Sequence, residues 1–286
     1  MAKVSSKRKI NRSRGGNFAM FLFLFIYGMF MVLPLYYAVI SSIKPLNELF
    51  IFPPRFYVTN PTISNYTTMI RLISESRVPF SRYLFNSVVV AVGGTIGGII
   101  VGSLAAYPLA KHKFTGKSIM YNIIVWAMMF RGEVVSTPQF LVVAGLGLIN
   151  TYWCILLPSL SGTMGVFLMR QFIESNIPDS IIEAAKIDGA TEGYIFWKII
   201  MPNVKPAWLT LAIFSFTGMW NSTGSEYIYD EPMKMLPTAM NQAVSGGISR
   251  TGAASAVAVF MMIPPILLFI ISQSSIMETM STSGLK

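Results

Sequence analysis

The sequence predicts an all-α protein that crosses a membrane about six times. A soluble domain carries about 25% charged residues, whereas only 12% of these 286 residues are charged and 53% are hydrophobic. The mean hydropathy is +0.57. The apolar residues also fall into blocks that approach the roughly 20 residues needed to cross a bilayer as a helix. Composition and block length therefore indicate lipid as the surrounding solvent.

Six apolar blocks are the candidate spanning helices. They cover residues 18–43, 84–110, 119–143, 149–170, 204–221 and 254–276. The third block is interrupted by Arg131, Gly132 and Glu133, so it could end near Phe130 and continue as a separate or re-entrant helix over 134–143. An even number of spans places both termini on the same side of the membrane.

Basic residues predict which side that is. The first 17 residues contain a cluster of cations, namely Lys3, Lys7, Arg8, Lys9, Arg12 and Arg14. Positive residues favour the cytoplasmic side, and the short connection with Lys111, Lys113 and Lys117 falls on that same side. The apolar run after the cluster exceeds the roughly 7–15 residues of a signal-peptide core, and no small-residue cleavage site follows it. We expect a retained anchor and cytoplasmic termini.

This orientation gives the predicted organisation of the chain. It consists of a cytoplasmic segment 1–17, a transmembrane domain 18–276 with external loops at about 44–83 and 222–253 and a cytoplasmic loop 171–203, and a cytoplasmic tail 277–286. The formal net charge is +10, but the cations lie in the N-terminal segment and in loops. We therefore expect contact with membrane lipid and none with nucleic acid.

The residues that usually perform catalysis are scarce. The chain has one cysteine, Cys154, inside an apolar block, and one histidine, His112, in a basic connection. An internal disulfide and a cysteine-based metal site are therefore excluded. No paired carboxylates lie in the spans, and no nucleophile has a base nearby in sequence, which argues against a membrane enzyme.

Glycines recur along one face of the second span, at Gly93, Gly94, Gly97, Gly98 and Gly102. Small residues at this spacing let two membrane helices approach closely. We interpret the face as a helix-packing surface, with a role in lining a substrate path as the alternative.

The loop 171–203 has the clearest local signals. Pro178 and Asp179 suit the first turn of a helix, and Gly189 suits its end because glycine tolerates a left-handed backbone. Thr191 can cap a second, apolar helix that Pro202 ends. One face of the first helix carries Ile181, Ala184, Ala185 and Asp188. Composition alone favours a helix lying on the membrane surface.

This loop resembles the EAA motif of permease subunits of binding-protein-dependent ABC importers. The motif is present as Glu183-Ala184-Ala185, Gly189 and residues 199–202. The carbohydrate branch is further matched by Ile177-Pro178, Ile187-Asp188-Gly189-Ala190, Lys205-Pro206, Asn86-Ser87, residues 145–151 and Trp220-Asn221. The chain departs from the pattern at Met201, where leucine is usual, and at the polar run 222–226, where aromatic and aliphatic residues are usual.

The resemblance implies a non-catalytic permease of a bacterial cell membrane that carries a sugar, specifically an oligosaccharide. Its implied partners are a second homologous permease, a pair of ATPase subunits that bind ATP and Mg²⁺, and an extracellular solute-binding protein. The chain itself would bind no cofactor. The residues implied to couple to the ATPase are Glu183, Ala184, Ala185, Ile187, Asp188, Gly189 and Ala190.

Sugar pockets combine aromatic faces with polar groups. The candidate path residues are Asn86, Ser87, Trp126, Trp153, Trp220 and Asn221. Packing or interfacial anchoring is the alternative for each. Two other transport functions stay open: an ABC permease for a non-sugar solute, and an ion-coupled transporter. The second is disfavoured because only Arg131 and Glu133 provide ionisable groups within the spans.

Overall fold

The computed structural model describes residues 14–130 and 132–283, and these residues form helices joined by loops. Three features used above lie outside the described residues: the N-terminal cations Lys3 to Arg12, the interrupting Arg131, and the last residues 284–286. In chain order the helices are α1 (Arg14–Ile43), α2 (Leu46–Leu49), α3 (Ser64–Ser74), α4 (Phe80–Lys111), α5 (Lys117–Ala127), α6 (Gly132–Gly145), α7 (Trp153–Leu160), α8 (Thr163–Asn176), α9 (Asp179–Ile187), α10 (Glu192–Tyr194), α11 (Met201–Asn203), α12 (Lys205–Trp220), α13 (Leu236–Val244) and α14 (Thr251–Ser283).

Four helical stretches are long and apolar enough to cross a membrane. They are Gly15–Ile43, Phe80–Lys111, Trp153–Asn176 and Ile248–Ser274. A fifth candidate is a bent pair, in which Glu192–Asn203 meets Lys205–Trp220 at 79°. These five correspond to the predicted first, second, fourth, fifth and sixth spans. The last helix continues to Ser283, so residues 277–283 of the predicted tail are helical and continuous with α14.

The predicted third span is divided into two helices. The helix α5 has 11 residues and ends at Ala127, and α6 has 14 residues and begins at Gly132. Each is shorter than the roughly 20 residues that a full crossing requires. Gly132 is a poor residue for a helix interior, and Glu133 suits the positive end of a new helix. The predicted interruption is therefore present, and within the described residues neither α5 nor α6 is among the helices long and apolar enough to cross a membrane.

The glycine face of α4 packs closely against neighbouring helices. A Cβ added to Gly97 would lie 2.5 Å from a methyl carbon of Leu160, and one added to Gly94 would lie 3.1 Å from the sulfur of Met219. A Cβ on Gly102 would lie 3.5 Å from the backbone of Gly165. These distances place α7, α8 and α12 against one face of α4, as the packing interpretation predicted.

Polar side chains fold the long loop after α1. The Glu48 carboxylate accepts hydrogen bonds from the backbone N–H groups of Thr59 and Asn60, at 3.1 and 2.9 Å. The Lys44 ammonium is buried and donates to the carbonyl of Arg55. Because these buried charges have partners, the loop can fold back on itself without leaving them unsatisfied.

Candidate functional site

The predicted loop between the fourth and fifth spans forms a helical elbow, which here means residues 179–203. Its first helix, α9, begins at Asp179 directly after Pro178 and ends at Ile187. Gly189 adopts φ 78°. The N–H of Gly189 donates to the carbonyl of Lys186 at 3.1 Å, and the N–H of Ala190 donates to that of Ala185 at 2.9 Å. This pair of bonds is the Schellman arrangement, and it ends α9 in the way that the sequence predicted.

The second part of the elbow is a helix with a widened middle. The side chain of Thr191 accepts a hydrogen bond from the N–H of Tyr194, which confirms the predicted cap. Residues Ile195–Ile200 are π-helical, and the helix ends at Asn203, one residue beyond the predicted Pro202. The chain then bends by 79° into α12. Segments of π-helix are rare and often occur at functional sites.

An apolar core holds the elbow against the spanning helices. Ile182 of α9 is buried in one cluster with Ile195, Phe196 and Ile200 of the elbow. Residues of α4, α8 and α12 complete the cluster, namely Ile99, Ala106, Tyr107, Ala110, Met169, Ile173, Ala207, Leu211 and Ala212. The elbow is therefore packed on the ends of three helices, and it cannot move without moving them.

Ion pairs reinforce this attachment. The ammonium of Lys111, at the end of α4, lies 2.7 Å from the Asp179 carboxylate and holds the pKa of that carboxyl below its usual value. Glu192 receives a hydrogen bond from the Tyr107 hydroxyl at 2.6 Å and lies 2.7 Å from the Lys186 ammonium. Mainly through the bond from Lys186, and then that from Tyr107, the pKa of Glu192 falls to about 2. The Glu192 carboxylate thus links α4 to both arms of the elbow.

The opposite face of α9 is exposed and has no partner within the described residues. Ile187 is 86% exposed, and Ile181 is 44% exposed. Glu183, Ala184 and Asp188 are exposed beside them. A large aliphatic side chain with small and acidic neighbours, standing on a firmly anchored helix, can seat in a cleft on another protein. Of the predicted coupling residues, Ala185 and Ala190 are half-buried and lie on the anchored side.

Three of the six predicted path residues are buried and already hydrogen-bonded. Asn86 is 0% exposed; its amide donates to the carbonyls of Pro232 and Lys234, both at 2.9 Å, and accepts from the Tyr152 hydroxyl at 2.7 Å. Ser87 accepts from the N–H of Leu236 at 2.8 Å. The Trp220 indole donates to a carbonyl of α14 at 3.0 Å. Asn86 and Ser87 thus hold the segment 232–236 that follows α12, whereas Trp220 ties the end of α12 to α14.

The other three path residues are exposed, and the structure does not gather the six around one cavity. Trp126 on α5 and Trp153 on α7 are 62% and 56% exposed. Asn221 is exposed at the end of α12, where its amide donates to the carbonyl of Thr217 at 2.8 Å.

A recess that the sequence analysis did not predict lies beside Asn221. This 222–227 recess has a volume of about 320 Å³ and is lined by Gln139, Cys154, Ile155, Pro158, Ser159, Met219 and residues 222–227. Its polar groups are four hydroxyls on serine or threonine, the Tyr227 hydroxyl, the Gln139 amide and the Glu226 carboxylate. Among the described residues that line it there is no cation. The polar run 222–226 was the available sequence signal, but nothing local indicated that α6 and α7 would close the recess.

Comparisons with known proteins agree with this arrangement. Residues 11–281 match the family described as binding-protein-dependent transport system inner membrane component. The polygalacturonan/rhamnogalacturonan transport system permease protein YtcP of Bacillus subtilis is 30% identical, over 82% of this chain and 82% of its own length. The arabinooligosaccharides transport system permease protein AraQ of the same species is 26% identical, over 94% of this chain and 95% of its own.

A solved structure shares the fold. It is a chain from a bacterial ABC transporter that imports the acidic polysaccharide alginate, with a TM-score of 0.74 and 22% sequence identity. The match covers 92% of this chain and 98% of that chain. The arrangement of helices described above therefore belongs to a known transporter architecture.

Proposed function

Because this chain belongs to the family of binding-protein-dependent transport system inner membrane components, we propose that it is the permease subunit of an ATP-driven importer for a sugar, specifically an oligosaccharide. The names of its relatives YtcP and AraQ, which refer to polymers or oligomers of sugars, support this class of solute. The observation that carries the proposal is the elbow, which is anchored on three spanning helices and presents an unpartnered face.

The elbow is the coupling element. Its exposed face, formed by Ile181, Ala184 and Ile187, seats on an ATPase subunit, while Glu183 and Asp188 meet basic groups of that subunit. ATP and Mg²⁺ are bound by the ATPase pair, and this chain holds neither. Movement of the docked face is transmitted because Ile182 and Glu192 tie the elbow to the spanning helices. Switching between two packed arrangements is the usual way such displacement reaches a distant site.

The orientation follows from this role. The elbow, Lys111, Lys113 and Lys117 lie at the same end of α4, and short basic connections favour the cytoplasm. Both termini are then cytoplasmic, and the loops 44–83 and 222–253 face the solute-binding protein. A second homologous permease completes the pathway in a bacterial membrane.

The 222–227 recess is the part of this chain that meets the solute. Ligand pockets commonly measure about 300–1,000 Å³, and this one, at about 320 Å³, is open and rich in hydroxyl and amide groups. Asn221 directly precedes Ser222, which lines the recess, and is the strongest of the predicted contacts. Asn86 and Ser87 shape the path indirectly by fixing the neighbouring loop, and Trp220 does so by tying α12 to α14.

A crosslinking experiment tests the coupling role. The single cysteine is first removed as Cys154→Ser, and a new one is introduced as Ala184→Cys on the exposed face of α9. We expect crosslinks from position 184 to an ATP-binding subunit, and none from the matched control Ile63→Cys, which is 73% exposed in the loop before α3. Crosslinks from position 63 alone, or labelling of position 184 by a reagent that cannot enter the cell, would disprove the coupling role.

The solute is tested separately in the assembled transporter. The binding protein loaded with a neutral oligosaccharide should stimulate ATP hydrolysis above the rate with unloaded binding protein. Stimulation by a non-sugar solute only, or uptake driven by an ion gradient without ATPase subunits, would overturn this part of the proposal.

A further inference from the structure

A second recess lies where α4 ends, α5 begins and α8 passes between them. This α5–α8 recess has a volume of about 510 Å³ and is lined by Phe114, Gly116, Lys117, Ser118, Ile119, Tyr121 and Arg170. It is separate from the elbow face and from the 222–227 recess. Its two charged residues are both cations.

The two cations are held in place, and each keeps a free donor within the described contacts. The Lys117 ammonium donates to the carbonyls of Ala110 and His112, at 3.2 and 3.1 Å, which uses two of its three donors. Arg170 donates from Nε to the carbonyl of Leu109 at 3.2 Å and from Nη2 to Glu174 at 3.3 Å. The guanidinium also lies 3.8 Å from the centre of the Tyr121 ring. Nη1 of Arg170 and one N–H of Lys117 remain available.

The surroundings of this recess are those of a lipid boundary. None of the residues of α5 is buried. Ile119, Met120 and Ile123 are 67%, 52% and 54% exposed, so an apolar strip runs along α5 directly from the recess. The recess itself is level with the last turn of α4, because Arg170 and Lys117 bind the carbonyls of Leu109 and Ala110. A spanning helix ends where the head groups begin.

We propose that the α5–α8 recess binds the phosphate head group of an anionic phospholipid, with the acyl chains lying along the exposed face of α5. Lys117 and Arg170 supply the charge, the Tyr121 ring holds the guanidinium in position, and Ile119 and Met120 contact the first methylenes. Basic pockets between spanning helices are the usual sites of acidic lipid head groups. Glu174 lies one turn further along α8 than Arg170. Its carboxylate pairs with Nη2 of Arg170 at 3.0 Å.

The test uses the full-length chain, purified with the subunits that accompany it, and three probes: phosphatidylglycerol, phosphatidylcholine with the same acyl chains, and inorganic phosphate. Lipid retention is measured by native mass spectrometry. We expect phosphatidylglycerol to be retained in preference to phosphatidylcholine, with Lys117→Gln weakening that preference about fivefold and Lys117→Arg preserving it. The matched control Lys198→Gln removes one charge from the elbow outside the recess and should leave the preference unchanged.

A second measurement needs no variant. Phosphatidylglycerol with a photoreactive head group should crosslink to a peptide that contains residues 114–121 in the wild-type transporter. The proposal is overturned if crosslinks map elsewhere, if both lipids are retained equally, or if Lys198→Gln has the same effect as Lys117→Gln. Full competition by inorganic phosphate would identify a site for a free anion instead of a lipid. Absence of bound lipid because another subunit covers α5 would also overturn the lipid proposal.

Discussion

The substitution Ile187→Asp tests whether the exposed face of α9 is a docking surface. Ile187 is 86% exposed in this chain, so replacing it should change the free energy of unfolding by no more than about 0.5 kcal/mol. If the side chain becomes buried in an ATPase cleft, that burial stabilises the complex by about 1.5–3 kcal/mol. Its loss corresponds to docking that is about 10- to 150-fold weaker, and an aspartate in an apolar cleft adds a desolvation cost.

The assay is the binding of purified ATPase to the permease in lipid nanodiscs, followed by ATP hydrolysis in the presence of the loaded binding protein. Ile187→Leu keeps the volume and apolar character of the side chain and serves as the matched control. We expect Ile187→Asp to reach the membrane normally, to bind ATPase weakly and to lose stimulated hydrolysis, while Ile187→Leu retains both. Unchanged binding and hydrolysis in the aspartate variant would refute the docking interpretation of α9.

Three further changes probe the anchoring of the elbow and the selectivity of the 222–227 recess. Gly189→Ala places a residue with a Cβ at a backbone φ of 78°. We expect the free energy of unfolding, measured by thermal denaturation, to fall by about 1–2 kcal/mol. An unchanged free energy of unfolding would mean that alanine is not strained in this turn. The Glu192 carboxylate has its pKa lowered to about 2, so its stabilisation is present above the usual carboxyl pKa and is lost as the pH falls towards 2. The difference in thermal stability between wild type and Glu192→Gln should therefore shrink as the pH falls below about 4. A difference at pH 2.5 as large as that at pH 5 would contradict this. Glu226→Gln should raise uptake of uronate-containing oligosaccharides relative to neutral ones, because it removes the repelling charge; an unchanged ratio would show that Glu226 does not select the solute.

The elbow was predictable because its signals are local. Pro178, Thr191 and Gly189 each act within one turn of the helix that they start or stop, so their positions define α9 and its neighbour without reference to the rest of the chain. The apolar spans were predictable for a similar reason, since lipid requires long unbroken helices. For the third span, the sequence indicated both the interruption near Gly132 and a separate helical piece after it, and α5 and α6 are such separate helices.

The contacts that anchor the elbow to the spanning helices were not predictable. The hydrogen bond from Tyr107 to Glu192 joins residues 85 positions apart, and the Lys111–Asp179 pair joins residues 68 apart. No local sequence pattern indicates that either pair of residues would be in contact. Asn86 is a further example. A buried amide needs hydrogen-bond partners, but the sequence could not reveal that loop carbonyls and Tyr152 would supply them.

If the elbow docks on an ATPase as proposed, its position relative to α12 gives the displacement a route to the 222–227 recess. The helix α12 has 16 residues and so measures about 24 Å, with the elbow at its start and the 222–227 recess just beyond its end. A rigid helix of this length transmits a rotation at one end to the other. The 79° bend at its start means that a push along the elbow becomes a tilt of α12. Trp220, hydrogen-bonded to α14, would pass that tilt to a second helix.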